Sequence, residues 1–273
     1  MTFRRKRTTG ALAALALMLT SSLAQADAVD RTALRVCTDP NNLPFSNRDG
    51  AGFENRIAEL MATKLGVPVR YTWFPQAMGF IRNTLRAGKC DLVVGIAAPH
   101  ELLKNTAPYY RSTYALVARP GAGEEIRRLD DPRLKGLTIG VVAGTPPGDL
   151  LARYGLMANA RPYPLVVDTR HEQPGQRMVE DVAAGEIDIG VLWGPIAGYY
   201  AKQKDPPLRV TPIAQVPDDL PMAFQISMGV RYREPAWKAQ IDDLIAKMRP
   251  EINAVLHEYG VPMLDDNGDP ISQ

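Results

Sequence analysis

The sequence predicts an α/β protein of two similar lobes, each a mostly parallel β-sheet flanked by helices. Short apolar runs alternate with segments in which apolar residues recur at helical spacing, as in β-α-β units. This alternation occurs twice, before and after a turn-rich segment at 119–123. The chain has 273 residues, enough for two lobes of roughly 100–150 residues each.

The first lobe is expected to follow the order strand, helix, strand, helix, strand. Its strands are predicted at 34–38, 67–74 and 91–96, and its helices at 53–65 and 76–87. Gly66 ends the first helix, and Gly88 follows the second. The third strand is a continuous apolar run, which is typical of a parallel strand buried on both faces.

The second lobe repeats this order. Its strands are predicted at 137–142, 163–167 and 187–193, with helices beginning at 149 and covering 176–184. A proline-rich segment follows, then a strand at 224–230 and a long amphipathic helix at 235–259 that returns to the first lobe. The predicted division is therefore 27–118 with 222–273 as lobe 1 and 119–221 as lobe 2, with hinges near 116–123 and 216–224.

The first 26 residues have the features of a secretory signal peptide. A basic run, Arg4–Arg7, precedes an apolar stretch at 10–20 and the small-residue site Ala24-Gln25-Ala26. The apolar stretch is shorter than the roughly 20 residues that span a bilayer. We therefore expect Sec-type export, cleavage after Ala26, a periplasmic location and no membrane span in the mature chain.

Charge and motifs exclude several classes of function. The full chain carries a formal charge of +2, and without the four basic residues at 4–7 it becomes −2. No clustered basic surplus remains, so a nucleic-acid partner is not expected. The histidines and cysteines show no zinc-ligand spacing, the acidic run Asp265–Asp269 is interpreted as a solvated tail, and no GxSxG nucleophile motif occurs. We therefore predict a non-enzymatic protein without catalytic residues, metal or cofactor.

Cys37 and Cys90 are the only cysteines in the chain. In an oxidising compartment they are a candidate disulfide. The alternative is a pair of buried small hydrophobic residues at strand ends, too far apart for a bond.

Polar and aromatic residues that follow predicted strands mark a candidate cleft, because α/β sheets bind ligands at the carboxyl ends of their strands. The candidates are Asp39, Asn41, Asn42, Phe45, Glu54, Gly95, Ala97, Tyr110, Arg111, Ser112, Gly144, Thr145, Trp193 and Gly194. Several also have simpler interpretations. Asp39 and its neighbours suit a turn, Glu54 suits the positive end of a helix dipole, and Gly144-Thr145 suits either a tight turn or an anion-binding helix start.

The order of these motifs resembles the periplasmic solute-binding proteins of the amino-acid class. The resemblance lies in Asp39-Pro40-Asn41, Gly52-Phe53-Glu54, Gly88–Gly95, Ala107–Tyr110, Lys135–Val141, Ala143–Thr145 and Ala184–Ile189. It implies a two-lobed periplasmic binding protein type II fold with a ligand cleft between the lobes. The family's carboxylate-binding Arg is missing from residues 95–103, and its ammonium-binding Asp corresponds to Trp193. An amino acid would therefore lose both charged partners, and we do not expect it as the ligand.

A narrower set of strings resembles the binding-protein-like J proteins of the MxaJ and XoxJ type, which are associated with methanol dehydrogenase. These strings lie at 37–47, 52–55, 72–76, 79–85 and 108–114. The resemblance implies an accessory protein in methanol metabolism that assists activation or maturation of a PQQ-dependent quinoprotein, with methanol dehydrogenase as partner. The cleft would then hold a small molecule or a peptide segment of the partner. The alternative is the substrate-binding component of an ABC importer for an unidentified small solute.

Overall fold

The computed structural model describes residues 1–2, 31–122, 126–213 and 220–271. Its strands are β1 (Leu34–Thr38), β2 (Asn41–Asn42), β3 (Ser46–Asn47), β4 (Val69–Trp73), β5 (Leu92–Ala98), β6 (Lys104–Ala118), β7 (Ile139–Val142), β8 (Ala160–Tyr163), β9 (Ile189–Trp193), β10 (Arg209–Pro212) and β11 (Ala223–Val230). Its α-helices are α1 (Phe53–Leu65), α2 (Phe80–Asn83), α3 (Pro146–Arg153), α4 (Pro174–Ala184), α5 (Gly194–Lys202), α6 (Pro235–Lys247) and α7 (Arg249–Glu258).

The larger strands form one sheet in the order β4-β1-β5-β11-β6-β9-β7-β8, and β10 pairs with β6. The outer strands of each lobe are parallel: β4-β1-β5 on one side and β9-β7-β8 on the other. The antiparallel pairs of this sheet all involve β6 or β11, where the two lobes meet. Helices cover the faces, and the predicted two-lobed α/β fold is confirmed.

Strand β6 belongs to both lobes. Its residues from 104 to 113 pair with β11, whereas those from 114 to 118 pair with β9 and β10. The Thr113 hydroxyl lies 2.8 Å from the carbonyl oxygen of Ile213 and 3.0 Å from that of Met222. The pairing of this strand therefore changes at Thr113–Tyr114, whereas the predicted division of the chain has lobe 1 continue to residue 118.

Helix α1 is held firmly at both ends. Gly66 follows it with φ of 69°, a left-handed conformation that ends helices and is easiest for glycine. At its start the side-chain oxygen of Asn55 accepts hydrogen bonds from the backbone N–H groups of Gly52 and Asn47, at 3.2 and 3.1 Å. The N–H of Glu54 donates to the carbonyl of Phe45 at 2.9 Å. These contacts fix the first turn of α1 against the loop that follows β1.

Each lobe has apolar clusters on the faces of its sheet. In lobe 1, α1, α6 and α7 pack on one face around Phe53, Met61 and Ile241. A smaller cluster on the other face contains the Cys37–Cys90 pair with Phe80 and Leu103. In lobe 2 two further clusters pack against the two faces of the sheet.

Several predicted elements differ from the structure. The helix expected at 76–87 is the short α2, and the strand expected at 163–167 is β8 at 160–163. The apolar residues Leu165 and Val166, which suggested the later position, are exposed loop residues. The helix expected at 235–259 is two helices, α6 and α7. Pro250 lies in the first turn of α7, a position that favours the start of a new helix.

Some elements were not predicted from the sequence. They are the long strand β6, the short strands β2, β3 and β10, and helix α5. Helix α5 carries Gly198, where a Cβ would lie 1.8 Å from the carbonyl oxygen of Gly260. This glycine lets α5 pack closely on the chain after α7. Helix propensity alone does not reveal this role, because glycine inside a helix is expected only to lower its stability.

The predicted signal peptide, at residues 1–26, lies almost entirely outside the described residues. Within the described part of the chain, the helices are all too short or too polar to span a membrane.

Cys37 and Cys90 are bonded, with their Cα atoms 5.5 Å apart. The bond joins β1 to the residue two positions before β5, and both cysteines are buried. The two parallel neighbours are therefore linked covalently as well as by hydrogen bonds.

We predict that the double substitution Cys37→Ser with Cys90→Ser lowers the free energy of unfolding by about 4 kcal/mol, because the bond closes a 53-residue loop and restricts the unfolded chain. Urea unfolding of the variant and of the oxidised wild type measures the difference. A difference below about 1 kcal/mol would show that the loop-closure argument does not apply to this bond.

Candidate functional site

The carboxyl ends of strands from both lobes border two adjoining cavities. We call the first the Glu54 cavity, of about 150 Å³. It is lined by Phe45, Glu54, Gln76, Gly95, Ile96, Ala97, Tyr110, Trp193 and Ile226. We call the second the interlobe cavity, of about 210 Å³. Its lining includes Asn42, Leu43 and Gln76 from lobe 1 and Thr145, Leu165, Thr169, Gln173 and Trp193 from lobe 2.

Gln76 and Trp193 line both cavities, so the two lie next to each other, and together we call them the cleft. The structure brings together eight of the residues proposed from the sequence. They are Asn42, Phe45, Glu54, Gly95, Ala97, Tyr110, Thr145 and Trp193. Two others, Asp39 and Asn41, lie beside the cleft and bond across it.

Glu54 is the most unusual residue of the cleft. It lies in the first turn of α1, and only 5% of its surface is exposed. Its carboxyl rests on the bare backbone of Gly95, where a Cβ would come within 1.8 Å of Oε1. No donor in the described part of the chain forms a hydrogen bond with this carboxyl. A favourable helix dipole does not explain a side chain that is both buried and unpartnered.

Burial controls the ionisation of Glu54. Desolvation, with a smaller contribution from the nearby Asp39 carboxylate, raises its pKa from 4.5 to about 8. In the ligand-free protein the carboxyl is therefore mostly protonated at neutral pH. A positive charge brought into the cavity would favour the ionised form.

Aromatic rings form much of the remaining wall. Trp193 packs edge-on against Tyr114 and Phe224, with ring centroids 5.5 and 5.8 Å apart. Phe45 packs against Phe53 at 5.4 Å. These contacts hold the rings of the wall in place from behind.

Hydrogen bonds across the cleft join the two lobes, and we call this set the clasp. The Thr169 hydroxyl of lobe 2 lies 3.0 Å from each carboxylate oxygen of Asp39. The Asn41 side chain donates to the Thr169 carbonyl at 2.8 Å, and the Gln173 side chain donates to the Asn41 carbonyl. Asp39 is otherwise satisfied by backbone N–H groups, including that of Gln76 at 2.6 Å. The structure therefore has its lobes in direct contact.

The sequence analysis missed Gln76, Thr169 and Gln173. Gln76 was placed inside a predicted helix, although it lies in the loop after β4. Thr169 follows the real end of β8, so a correct bound for that strand would have placed it at the cleft by the carboxyl-end rule.

Three predicted residues point away from both cavities. The Arg111 guanidinium donates to the carbonyl of Asp266 at 3.4 Å, and the Ser112 hydroxyl donates to that of Pro262 at 2.6 Å. At Gly194 a Cβ would lie 2.4 Å from the carbonyl oxygen of Thr113. The first two contacts fasten β6 to the chain after α7, and the bare backbone of Gly194 packs closely on β6.

Gly144 and Thr145 form the turn between β7 and α3. Gly144 has φ of 74°, and the Thr145 hydroxyl donates to the carbonyl of Val142 at 2.6 Å. Both observations fit the turn interpretation.

The lining contains no arginine or lysine in the part of the chain that the structure describes. Within the described residues there is likewise no group of three or more His, Cys, Asp or Glu side chains that could hold a metal ion.

The chain belongs to the bacterial extracellular solute-binding proteins, family 3, whose model matches residues 34–260. Protein MoxJ of Methylorubrum extorquens is 35% identical over 262 residues, which are 90% of this chain and 86% of that protein.

Two solved structures are similar over most of the chain. Periplasmic binding protein XoxJ from Methylobacterium extorquens AM1 has a TM-score of 0.74 and 44% identity, covering 85% of this chain and 100% of that chain. MxaJ from Methlophaga aminisulfidivorans MPT has a TM-score of 0.73 and 26% identity, with the same two coverages. The resemblance to the J proteins and to the type II binding proteins is thus confirmed.

We predict that Glu54 makes the protein less stable as the pH rises. From about pH 4.5 the unfolded chain loses this proton, whereas the folded protein keeps it up to about pH 8. At pH 7 the loss is about 3 kcal/mol, since one pKa unit corresponds to about 1.4 kcal/mol. Urea unfolding at pH 5 and pH 7 should show about 2.5 kcal/mol of this fall for the wild type and none of it for Glu54→Gln.

Glu59→Gln is the matched control, because Glu59 is exposed on the same helix. It should keep the pH dependence of the wild type. Parallel pH profiles for the wild type and Glu54→Gln would contradict the prediction.

We also predict that Thr169→Val weakens the clasp. The variant loses a hydrogen bond to a carboxylate, which is worth about 1.5–3 kcal/mol. Small-angle X-ray scattering should show a larger radius of gyration than for the wild type. Thr72→Val is the control, because its hydroxyl bonds within lobe 1, to Lys89. Equal radii for Thr169→Val and the control would show that the clasp does not hold the lobes together.

Proposed function

We propose that this protein is a non-enzymatic periplasmic accessory protein that assists activation or maturation of a PQQ-dependent methanol dehydrogenase. In this proposal it contacts the dehydrogenase directly, and its cleft holds a segment of that partner. The similarity to proteins named MoxJ, XoxJ and MxaJ, together with the resemblance to the dehydrogenase-associated J proteins, supports the choice of partner.

The observation that best supports binding of another protein is the exposed apolar surface at the edge of the cleft. Leu165 and Val166 in the loop after β8 are 55% and 74% exposed, and Leu165 also lines the interlobe cavity. Met78, in the loop after β4 that carries Gln76, is 94% exposed. Exposed apolar residues at the same edge of both lobes favour contact with another protein.

The lining of the cleft supports the same proposal. A free amino acid needs a cation for its carboxylate, and neither cavity offers Arg or Lys among the described residues. The fold of a solute receptor is therefore kept while the anchor for a zwitterion is absent. This difference favours an accessory role over import of an amino acid.

We predict that Leu165→Asp with Val166→Asp weakens binding to purified methanol dehydrogenase at least tenfold, because two exposed apolar contacts become charged. Binding is measured by surface plasmon resonance, and dehydrogenase activity is followed in parallel. Met157→Asp is the control. It replaces a 52% exposed methionine that precedes β8 and so lies at the opposite edge of the sheet.

Three results would count against the proposal. One is unchanged binding by the double variant, and another is no binding of dehydrogenase by the wild type. The third is tight calorimetric binding of a small metabolite with no effect on the dehydrogenase, which would instead support an importer receptor. Neighbouring genes for a quinoprotein dehydrogenase and a cytochrome, rather than a permease and an ATPase, are expected.

A further inference from the structure

We propose that the Glu54 cavity binds an alkylammonium group, the chemistry shared by a small free amine and a lysine side chain. This site is distinct from the apolar edge of the cleft, and the inference does not depend on the dehydrogenase being the partner. It rests on the position of one carboxyl, the composition of the walls and the adjacency of the two cavities.

The first step is the unpartnered carboxyl. Glu54 is 95% buried and lines the cavity, and within the described residues its carboxyl accepts no hydrogen bond and has no cation beside it. Buried carboxylates in proteins are paired with a donor or a cation, because burial without a partner is costly. The rigid start of α1 keeps Glu54 from turning toward water. A ligand that carries N–H donors would supply the missing partner.

The second step is the sign of the charge. Asp39 lies near Glu54 and adds a second negative group on the same side of the cleft. Asp39 has partners of its own, the Thr169 hydroxyl and the nearby Arg170. Glu54 has none, and neither cavity has Arg or Lys in its described lining to balance it. Phe45, Tyr110 and Trp193 line the same cavity, and aromatic rings attract cations through the negative charge of their faces. The surroundings therefore favour a cation over an anion.

The third step is size and access. The Glu54 cavity of about 150 Å³ suits a short alkylammonium chain and not a whole peptide. Gln76 and Trp193 lie between it and the interlobe cavity of about 210 Å³, whose lining includes the exposed Leu165. In this proposal a chain enters from that side, passes these two side chains and places its terminal ammonium at Glu54. Both a free amine and a lysine side chain satisfy this geometry.

The glycine at position 95 completes the geometry. Because a Cβ there would lie 1.8 Å from Oε1 of Glu54, only glycine leaves the carboxyl in its present place. Gly95→Ala therefore displaces the carboxyl without removing its charge. This gives a second variant that is independent of the neutral Glu54→Gln.

Calorimetry on the purified full-length mature protein, without dehydrogenase, tests the inference. The probes are butylammonium chloride and its neutral counterpart butanol. We expect butylammonium to bind at least tenfold more tightly than butanol. Glu54→Gln and Gly95→Ala should each abolish this preference, while Glu59→Gln on the exposed face of α1 should keep it.

Equal affinities of the two probes for the wild type, or no binding of butylammonium, would overturn the inference. So would a preference retained in both the Glu54→Gln and Gly95→Ala variants. Circular dichroism confirms that each variant is folded before its affinity is compared. Because no dehydrogenase is present, failure here would leave the proposed partner untouched, and the reverse also holds.

A second pair of probes separates the two sources of the group. Nα-acetyl-lysine methylamide carries the ammonium on a peptide-like chain, and the corresponding norleucine derivative lacks it. Tighter binding of the lysine derivative than of butylammonium would identify a protein segment as the source. Tighter binding of butylammonium would identify a free amine. Either result supports an alkylammonium site.

The pH dependence offers an independent check. The titratable groups that face Glu54 are Asp39, from the loop after β1, and Tyr109 and Tyr110 on β6. Burial raises the pKa of both tyrosines well above the ordinary value, so they stay neutral in this range. The affinity for butylammonium should rise about tenfold per pH unit from pH 6 and level off near the Glu54 pKa of about 8. A flat profile would overturn the role of Glu54.

Discussion

The structure depends on one strand that both lobes share. Because β6 pairs with β11 over its first ten residues and with β9 and β10 over its last five, the two lobes belong to a single sheet. This arrangement turns the carboxyl ends of β1, β4 and β5 toward those of β7, β8 and β9. The cleft residues lie at those ends, so the location of the site follows from the pairing of β6. Thr113, which bonds to the carbonyls on both sides of the return crossing, marks the point where the strand changes lobe.

Glu54 is held in the cleft by backbone contacts and not by its charge. The hydrogen bonds at the start of α1 would form with many other residues at position 54, so the fold does not require a carboxyl there. A carboxyl at this position costs stability at neutral pH, because burial opposes its ionisation. Groups that reduce stability in this way are concentrated at functional sites.

Asp91 is a buried carboxylate of the opposite kind. Three arginines surround it. Burial alone would raise its pKa, but the hydrogen bonds from Arg35 and Arg231 outweigh burial and lower it.

The periodicity of apolar residues predicted correctly those elements whose bounds depend only on neighbouring residues. The bounds of β1 and α1 match the predictions, because each has a clear period and, for α1, a glycine stop. The strand-end rule placed Trp193 at the cleft, whereas Glu54 was a candidate at a helix start, where the helix dipole was the simpler interpretation. The misplaced β8 shows the limit of this periodicity, since Leu165 and Val166 are apolar but face solvent.

The clasp could not be predicted, because the contact of Asp39 with Thr169 joins residues 130 positions apart and depends on how the lobes meet. The contacts of Arg111 and Ser112 could not be predicted for the same reason, because the chain after α7 folds back onto β6 and binds them.

The clasp also bears on how the cleft is used. In a receptor whose closure depends on its ligand, the ligand must bind the closed form more tightly than the open one. Here Asp39, Asn41 and Leu43 of lobe 1 bond directly to Thr169, Gln173 and Tyr200 of lobe 2. The closed arrangement therefore has stabilising contacts of its own, and a ligand adds less to the stability of the closed form. Such a cleft responds weakly to a small solute as a signal for import. It suits a protein that presents a preformed pocket to a partner, and the buried Glu54 carboxyl in that pocket accepts no hydrogen bond from the described residues.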